Sequence, residues 1–171
     1  IQKVDTDIYG WYSSGREMGL RFENLNFTWD DIRVQSTSIG ASKKMYEEKI
    51  LLSLDKVDLT LLSDISQKID VIPKNITDLV SKIKPSGMLH NLYLEFTDQD
   101  IDYDFRLRAN IEDVATHSWD GKPGFRKING YIDIKNTSGL IELDSPNGFG
   151  FQLPNIFDEY IYRSSIKGNI S

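Results

Sequence analysis

From Asp102 to Glu112 the chain reads Asp-Tyr-Asp-Phe-Arg-Leu-Arg-Ala-Asn-Ile-Glu, apolar and polar positions alternating without a break. Successive side chains of a strand point to opposite faces. Tyr103, Phe105, Leu107, Ala109 and Ile111 therefore make a dry side, and Asp102, Asp104, Arg106, Arg108, Asn110 and Glu112 a wet one. Clean alternation of this kind belongs to an antiparallel sheet with one solvated face. Upstream, residues 1–16 carry Tyr9, Trp11 and Tyr12 and predict an irregular or edge strand. Met18, Leu20 and Phe22, then Leu25, Phe27 and Trp29, alternate on either side of a bulge or turn at Glu23-Asn24. Asp30-Asp31 predicts a turn, Ile32 and Val34 a more polar strand, and Ala41 to Lys44 a loop. Met45 to Leu54 predicts a strand with Ile50, Leu52 and Leu54 on one side.

The period then changes. Leu59, Leu62, Ile65 and Ile69 are spaced as on a helix, with Asp58 or Thr60 placed to cap it. Pro73 interrupts, and Ile76, Leu79, Val80 and Ile83 define a second helix that Pro85-Ser86-Gly87 ends. Strands resume at Leu89 to Phe96. A long connection is expected over Ala115 to Lys127, and a strand at Ile128, Ile132 and Ile134. Asn136-Thr137-Ser138-Gly139 predicts a hairpin turn before Ile141 and Leu143, and Ser145-Pro146-Asn147-Gly148 a second turn before Phe149 and Phe151. A helical turn over Pro154 to Tyr160 precedes the last strands. Gly87, Gly130 and Gly168 each open a strand-like run, which suggests positive φ at a strand entrance and a meander of similar units.

The expected fold is mainly β with a short helical pair (α+β): a curved antiparallel sheet or groove with two helices packed at one side. Residues 1–171 read as a single fragment of a longer chain, with N-terminal strands over 1–55, the helical pair over 56–85 and antiparallel strands over 86–171. The first residues, Ile1-Gln2-Lys3, and the last, a strand just beginning at Gly168, are what prompt the expectation of a fragment.

Composition narrows the function. The net charge of −6 disfavours a phosphate backbone as partner, so no nucleic acid is expected. The absence of Cys removes disulfides and thiolate metal sites. His90 and His117 lack metal-ligand spacing. Asp98, Asp100, Asp102 and Asp104 resemble the start of a calcium loop, but the positions that need Gly and Glu hold Tyr103 and Ala109. Gly121-Lys122-Pro123-Gly124 lacks the order of a phosphate loop. The reading is therefore non-enzymatic, with no cofactor, metal or catalytic residue. Candidate functional residues are instead apolar: Phe105, Leu107, Ile132, Ile134, Ile141, Leu143, Phe149 and Phe151. They offer more sheet surface than two short helices can cover. Pattern alone leaves two uses for it, a closed sandwich core or a groove for an acyl chain or a neighbouring module. A β-sandwich binding carbohydrate or protein, with Trp11, Trp29 and Trp119 stacking on sugar rings, is the alternative function.

Five segments in succession carry a resemblance: Pro85 to Leu92, Trp119 to Gly124, Gly130 to Ile134, Gly139 to Ser145 and Leu153 to Phe157. Their order resembles the YhdP branch of the AsmA-like proteins of Gram-negative bacteria, best over residues 56–171 and on strand character alone before that. The resemblance implies a periplasmic protein anchored in the inner membrane through a segment outside this stretch. It implies an elongated β-groove that conducts phospholipids between inner and outer membranes. Its expected partners are phospholipid acyl chains and neighbouring segments of the same long chain. The acidic balance would not favour anionic headgroups.

Overall fold

The computed structural model describes residues 3–13, 17–29, 32–44, 49–66, 74–97 and 105–171. Four strands come first: β1 (Lys3–Ser13), β2 (Glu17–Trp29), β3 (Ile32–Lys44) and β4 (Lys49–Asp58). Two short helices follow, α1 (Leu59–Ser66) and α2 (Lys74–Ile83). Seven strands complete the chain: β5 (Ser86–Thr97), β6 (Phe105–Thr116), β7 (Gly124–Lys135), β8 (Gly139–Ser145), β9 (Phe149–Gln152), β10 (Ile161–Arg163) and β11 (Ile166–Ile170). The strands belong to one sheet, hydrogen-bonded in the order β1-β2-β3-β4-β5-β6-β7-β8-β11, with β9 paired to β7 and β10. Among the described residues there is no second, separately hydrogen-bonded sheet.

The described residues form two compact units. The first comprises 1–56, 90–109 and 133–139, and the second 57–89, 110–132 and 140–171. Each has a thin core. Leu25 and Ala109 are the buried apolar side chains described in the first, and Leu89, Ile128 and Phe149 in the second.

The local signals behave as their chemistry requires. Asp58 caps α1, its Oδ1 accepting the Thr60 amide at 2.8 Å. Asp58→Ala is expected to cost about 1 kcal/mol, read as a lower urea midpoint. At the other end of the pair, Lys84 takes φ +42° and donates its amide to the Val80 carbonyl at 2.9 Å; Pro85 then stops the helix. α1 packs against α2. The Ile83 carbonyl accepts the His117 amide at 2.7 Å, and Lys82 lies 3.6 Å from Asp120, so the end of α2 is tied to the β6–β7 connection.

Several expectations need correction. Ala41 to Lys44 is strand, not loop. Its small and basic residues have weak β preference, but β2 and β4 pair with it on both sides and supply its backbone partners. The connection expected over 115–127 shrinks to 117–123. There Trp119 and Lys122 bridge across a tight turn in which Asp120 and Gly121 both have positive φ. The run from Pro154 is one turn only, with the Ile156 and Phe157 amides both donating to the Leu153 carbonyl. The three glycines are not equivalent. Gly87 has φ +104° near the start of β5 and Gly130 has φ +152°, but inside β7; Gly168 lies inside β11 and is not among the positive-φ residues. Asp30-Asp31, Met45 to Glu48, Ile69, Pro73 and Asp98 to Asp104 lie outside the described residues.

On the polar side of β6, Arg106 grips Asp133 with two bonds, Nε–Oδ1 at 2.8 Å and Nη2–Oδ2 at 2.5 Å. This hydrogen-bonded guanidinium holds the Asp133 carboxyl below the usual carboxylate range. A depressed folded-state pKa adds stability that is complete above the unfolded value of about 3.9 and lost as pH falls through the folded value. Asp133→Asn is expected to lower stability by about 1 kcal/mol at pH 7, the pair being partly solvated. The difference from the parent should vanish in strong acid, and urea titrations at both pH values test this.

Candidate functional site

Residues directly opposite in an antiparallel pair share a face. The registers of β1 to β4 therefore draw rows across four strands. Ile8, Phe22, Ile39 and Leu54 make one row; Gly10, Leu20, Ala41 and Leu52 the next; Tyr12, Met18, Lys43 and Ile50 the third. Apart from Lys43, which sits on the outermost row, every side chain in these rows is apolar or aromatic. The opposite face reads Tyr9, Arg21, Gly40, Ser53; then Trp11, Gly19, Ser42, Leu51; then Ser13, Glu17, Lys44, Lys49. That face is mostly polar, although Tyr9, Trp11 and Leu51 lie on it, with Lys49 paired to Glu95 at 3.0 Å and Arg21 to Glu23 at 2.9 Å.

A bulge extends the apolar face. Plain alternation would throw Leu25 and Phe27 to the side opposite Phe22. The register slips at Glu23-Asn24, where Asn24 takes φ +53°, and one extra residue restores the side. Leu25 then faces Thr37, and Val4, Phe27 and Val34 make a further row. The slip is pinned by polar contacts. Thr6 Oγ1 donates to the Glu23 carbonyl at 2.9 Å, and Asn24 Nδ2 donates to Asp7 Oδ2 at 3.0 Å. Thr37, buried in this face, donates its hydroxyl to the Lys56 carbonyl at 3.0 Å, so its own hydroxyl is satisfied.

This face stays accessible. Ile8 is 62 % exposed, Tyr12 66 %, Leu20 50 % and Met18 43 %, while Phe22, Ile39, Leu52 and Leu54 are half-buried. The exposed apolar side chains of these rows are contiguous across the four strands.

The eight residues singled out from sequence divide between the two units. Phe105, Leu107 and Ile134 lie in the first, with Phe105 exposed and the other two half-buried. In the second unit Ile132, Ile141 and Leu143 are half-buried, and Ile141 lies opposite the exposed Ile170. Phe149 is buried. It stacks on Phe151 with ring centroids 5.9 Å apart, and Phe151 meets the edge of Phe157 at 5.9 Å. Phe157 comes from the turn after β9, so this cluster is a local core whose cover the strand pattern could not reveal. Sequence reasoning passed over Ile8, Tyr12, Leu20 and Ile39. The alternation of Met18-Leu20-Phe22 and of Ile50-Leu52-Leu54 was the available signal, and only the register joins the two runs into a surface.

Among the described residues no three His, Asp or Glu side chains gather to hold a metal ion, and no helix is long and apolar enough to cross a membrane. The protein family described as YhdP protein matches residues 5–171. No curated protein and no solved structure matches the chain.

Proposed function

Because the chain belongs to the YhdP family, whose membership implies a bacterial envelope protein, we propose that its apolar strand faces carry lipid acyl chains. In this reading it is a non-enzymatic segment of a periplasmic protein. That protein conducts phospholipids between inner and outer membranes and is anchored in the inner membrane by a segment outside these residues. The observation that supports it is the run of apolar rows across β1 to β4, accessible along their length. Phe105, Leu107 and Ile134 in the same unit, and Ile132, Ile141 and Leu143 in the other, are proposed to extend the contact within their own units. Phe149 and Phe151 belong to the same proposal as its supporting core.

The mechanism follows from apolar transfer. Each CH₂ removed from water is worth about 0.8 kcal/mol, so a bare acyl chain in the periplasm is strongly disfavoured. Rows of similar aliphatic and aromatic side chains offer nearly equal energy at successive positions. A tail can then shift from row to row without a deep trap while the headgroup stays in water. No residue needs to react. The same accessible rows would also suit neighbouring segments of a longer chain, which are the second proposed class of partner.

Native mass spectrometry of the protein purified from a Gram-negative host tests the reading. Adducts with phospholipid masses, released by mild activation, are expected. A protein that carries no lipid even after incubation with phospholipid vesicles would overturn it.

A further inference from the structure

The chain contains two Asn-Gly pairs, Asn129-Gly130 and Asn147-Gly148. In this dipeptide the backbone nitrogen of the second residue can reach the asparagine side chain, because glycine carries no side chain to shield that nitrogen or to restrict the backbone. The fold needs glycine at both places. Gly148 has φ +94°, and a Cβ there would come 3.2 Å from the Arg163 carbonyl oxygen. A Cβ on Gly130 would collide with the Glu142 carbonyl oxygen. What differs between the pairs is the asparagine. Asn129 lies within β7, half-buried, with both ends of its side chain engaged. Its Oδ1 accepts the Asp113 amide at 3.0 Å, and its Nδ2 donates to Asp113 Oδ1 and to the Lys127 carbonyl, each at 3.3 Å. Its own amide donates to Ser145 Oγ at 2.8 Å. Before Asn129 can react, these bonds must break and β7 must open locally. Asn147 stands in the turn between β8 and β9, exposed, and among the described residues no hydrogen bond holds its side chain.

We infer that Asn147 is a site of spontaneous covalent modification, with Asn129 as its protected counterpart. Hydroxide takes the proton from the Gly148 amide, and the nitrogen adds to the side-chain carbonyl carbon of Asn147. The side-chain amide nitrogen leaves as ammonia, taking its proton from water, and a cyclic imide remains. Water then opens the imide. Hydrolysis at the side-chain carbonyl leaves aspartate. Hydrolysis at the main-chain carbonyl leaves isoaspartate, in which the chain runs through the former side chain and gains a methylene. The sum is one water consumed and one ammonia released, with nothing oxidised or reduced. Either product places a negative charge just before β9. Isoaspartate also lengthens the link into the strand that carries the buried Phe149. No residue of the apolar rows takes part, so this inference and the lipid reading stand or fall separately.

Peptide mapping by mass spectrometry, on folded protein sampled over weeks at neutral pH, tests it. Conversion at Asn147 is expected to run about tenfold or more ahead of conversion at Asn129, which waits on local opening of its strand. Aspartate and isoaspartate should both form at position 147, and the rate should rise with pH. In urea, where the strand and the turn are both lost, the two rates should converge. Equal rates in the folded protein, or faster conversion at Asn129, overturn the inference. So does a preference for Asn147 that persists undiminished in urea, since neighbouring residues rather than the fold would then set it.

Discussion

Gly130→Ala should be the most damaging single-methyl change in the molecule, lowering stability by about 3–5 kcal/mol. Gly130 sits inside β7 at φ +152°, a conformation that L side chains rarely adopt. The added Cβ would collide with the Glu142 carbonyl oxygen and stand 3.1 Å from the Leu143 Cα. Both are backbone atoms of β8, so no side chain can rotate away to relieve the contact. The substituted chain must either part these strands locally or change its own φ, and each route sacrifices ladder hydrogen bonds. Gly168→Ala is the matching control. Nothing lies within 4 Å of the position its Cβ would take, and the change should stay within about 0.5 kcal/mol. Urea denaturation of the two variants checks the contrast. Equal midpoints would mean that β7 and β8 do not approach as closely at Gly130 as described.

Leu20→Asp should cut lipid occupancy by about tenfold or more while leaving the fold intact. Leu20 lies in the middle row of the apolar face, between Gly10 and Ala41, and is 50 % exposed. A side chain this exposed contributes only part of the roughly 1.5–3 kcal/mol of a fully buried leucine, so the sheet should tolerate its loss. An acyl chain lying along the rows has no such tolerance, since it would have to desolvate a carboxylate. Tyr9→Asp, on the polar face, should leave occupancy as it was. Lipid extraction followed by mass spectrometry of the three proteins, with circular dichroism to confirm the fold, provides the comparison. A fall in occupancy matched by loss of the β signal would assign the effect to folding instead.

Much of this fold was legible because alternation is a local property. Met18-Leu20-Phe22 and Leu25-Phe27 announced β2 together with its slip at Glu23-Asn24, and Asp58 and Pro85-Ser86-Gly87 marked the limits of the helical pair. What pairing decides was not legible. Gly40-Ala41-Ser42-Lys43-Lys44 has no strand signature of its own and becomes strand between two partners. Phe149 follows β8 by a short turn, yet its strand joins β7 and β10, and Phe157 then helps to bury it. The candidate site shows the same division. The longest alternating run drew attention to Phe105 and Leu107. The broader surface on β1 to β4 is assembled from short runs of modest signal, and it emerges only when Leu20 is found beside both Gly10 and Ala41.

Site-specific photocrosslinking in living Gram-negative cells puts the central claim to its most direct test. A benzophenone amino acid is placed at Leu20 in one strain and at Tyr9 in another, positions on opposite faces of neighbouring strands. The account predicts that light attaches radiolabelled phospholipid at position 20 and little or none at position 9. Equal labelling at the two positions, or none at position 20, would contradict it.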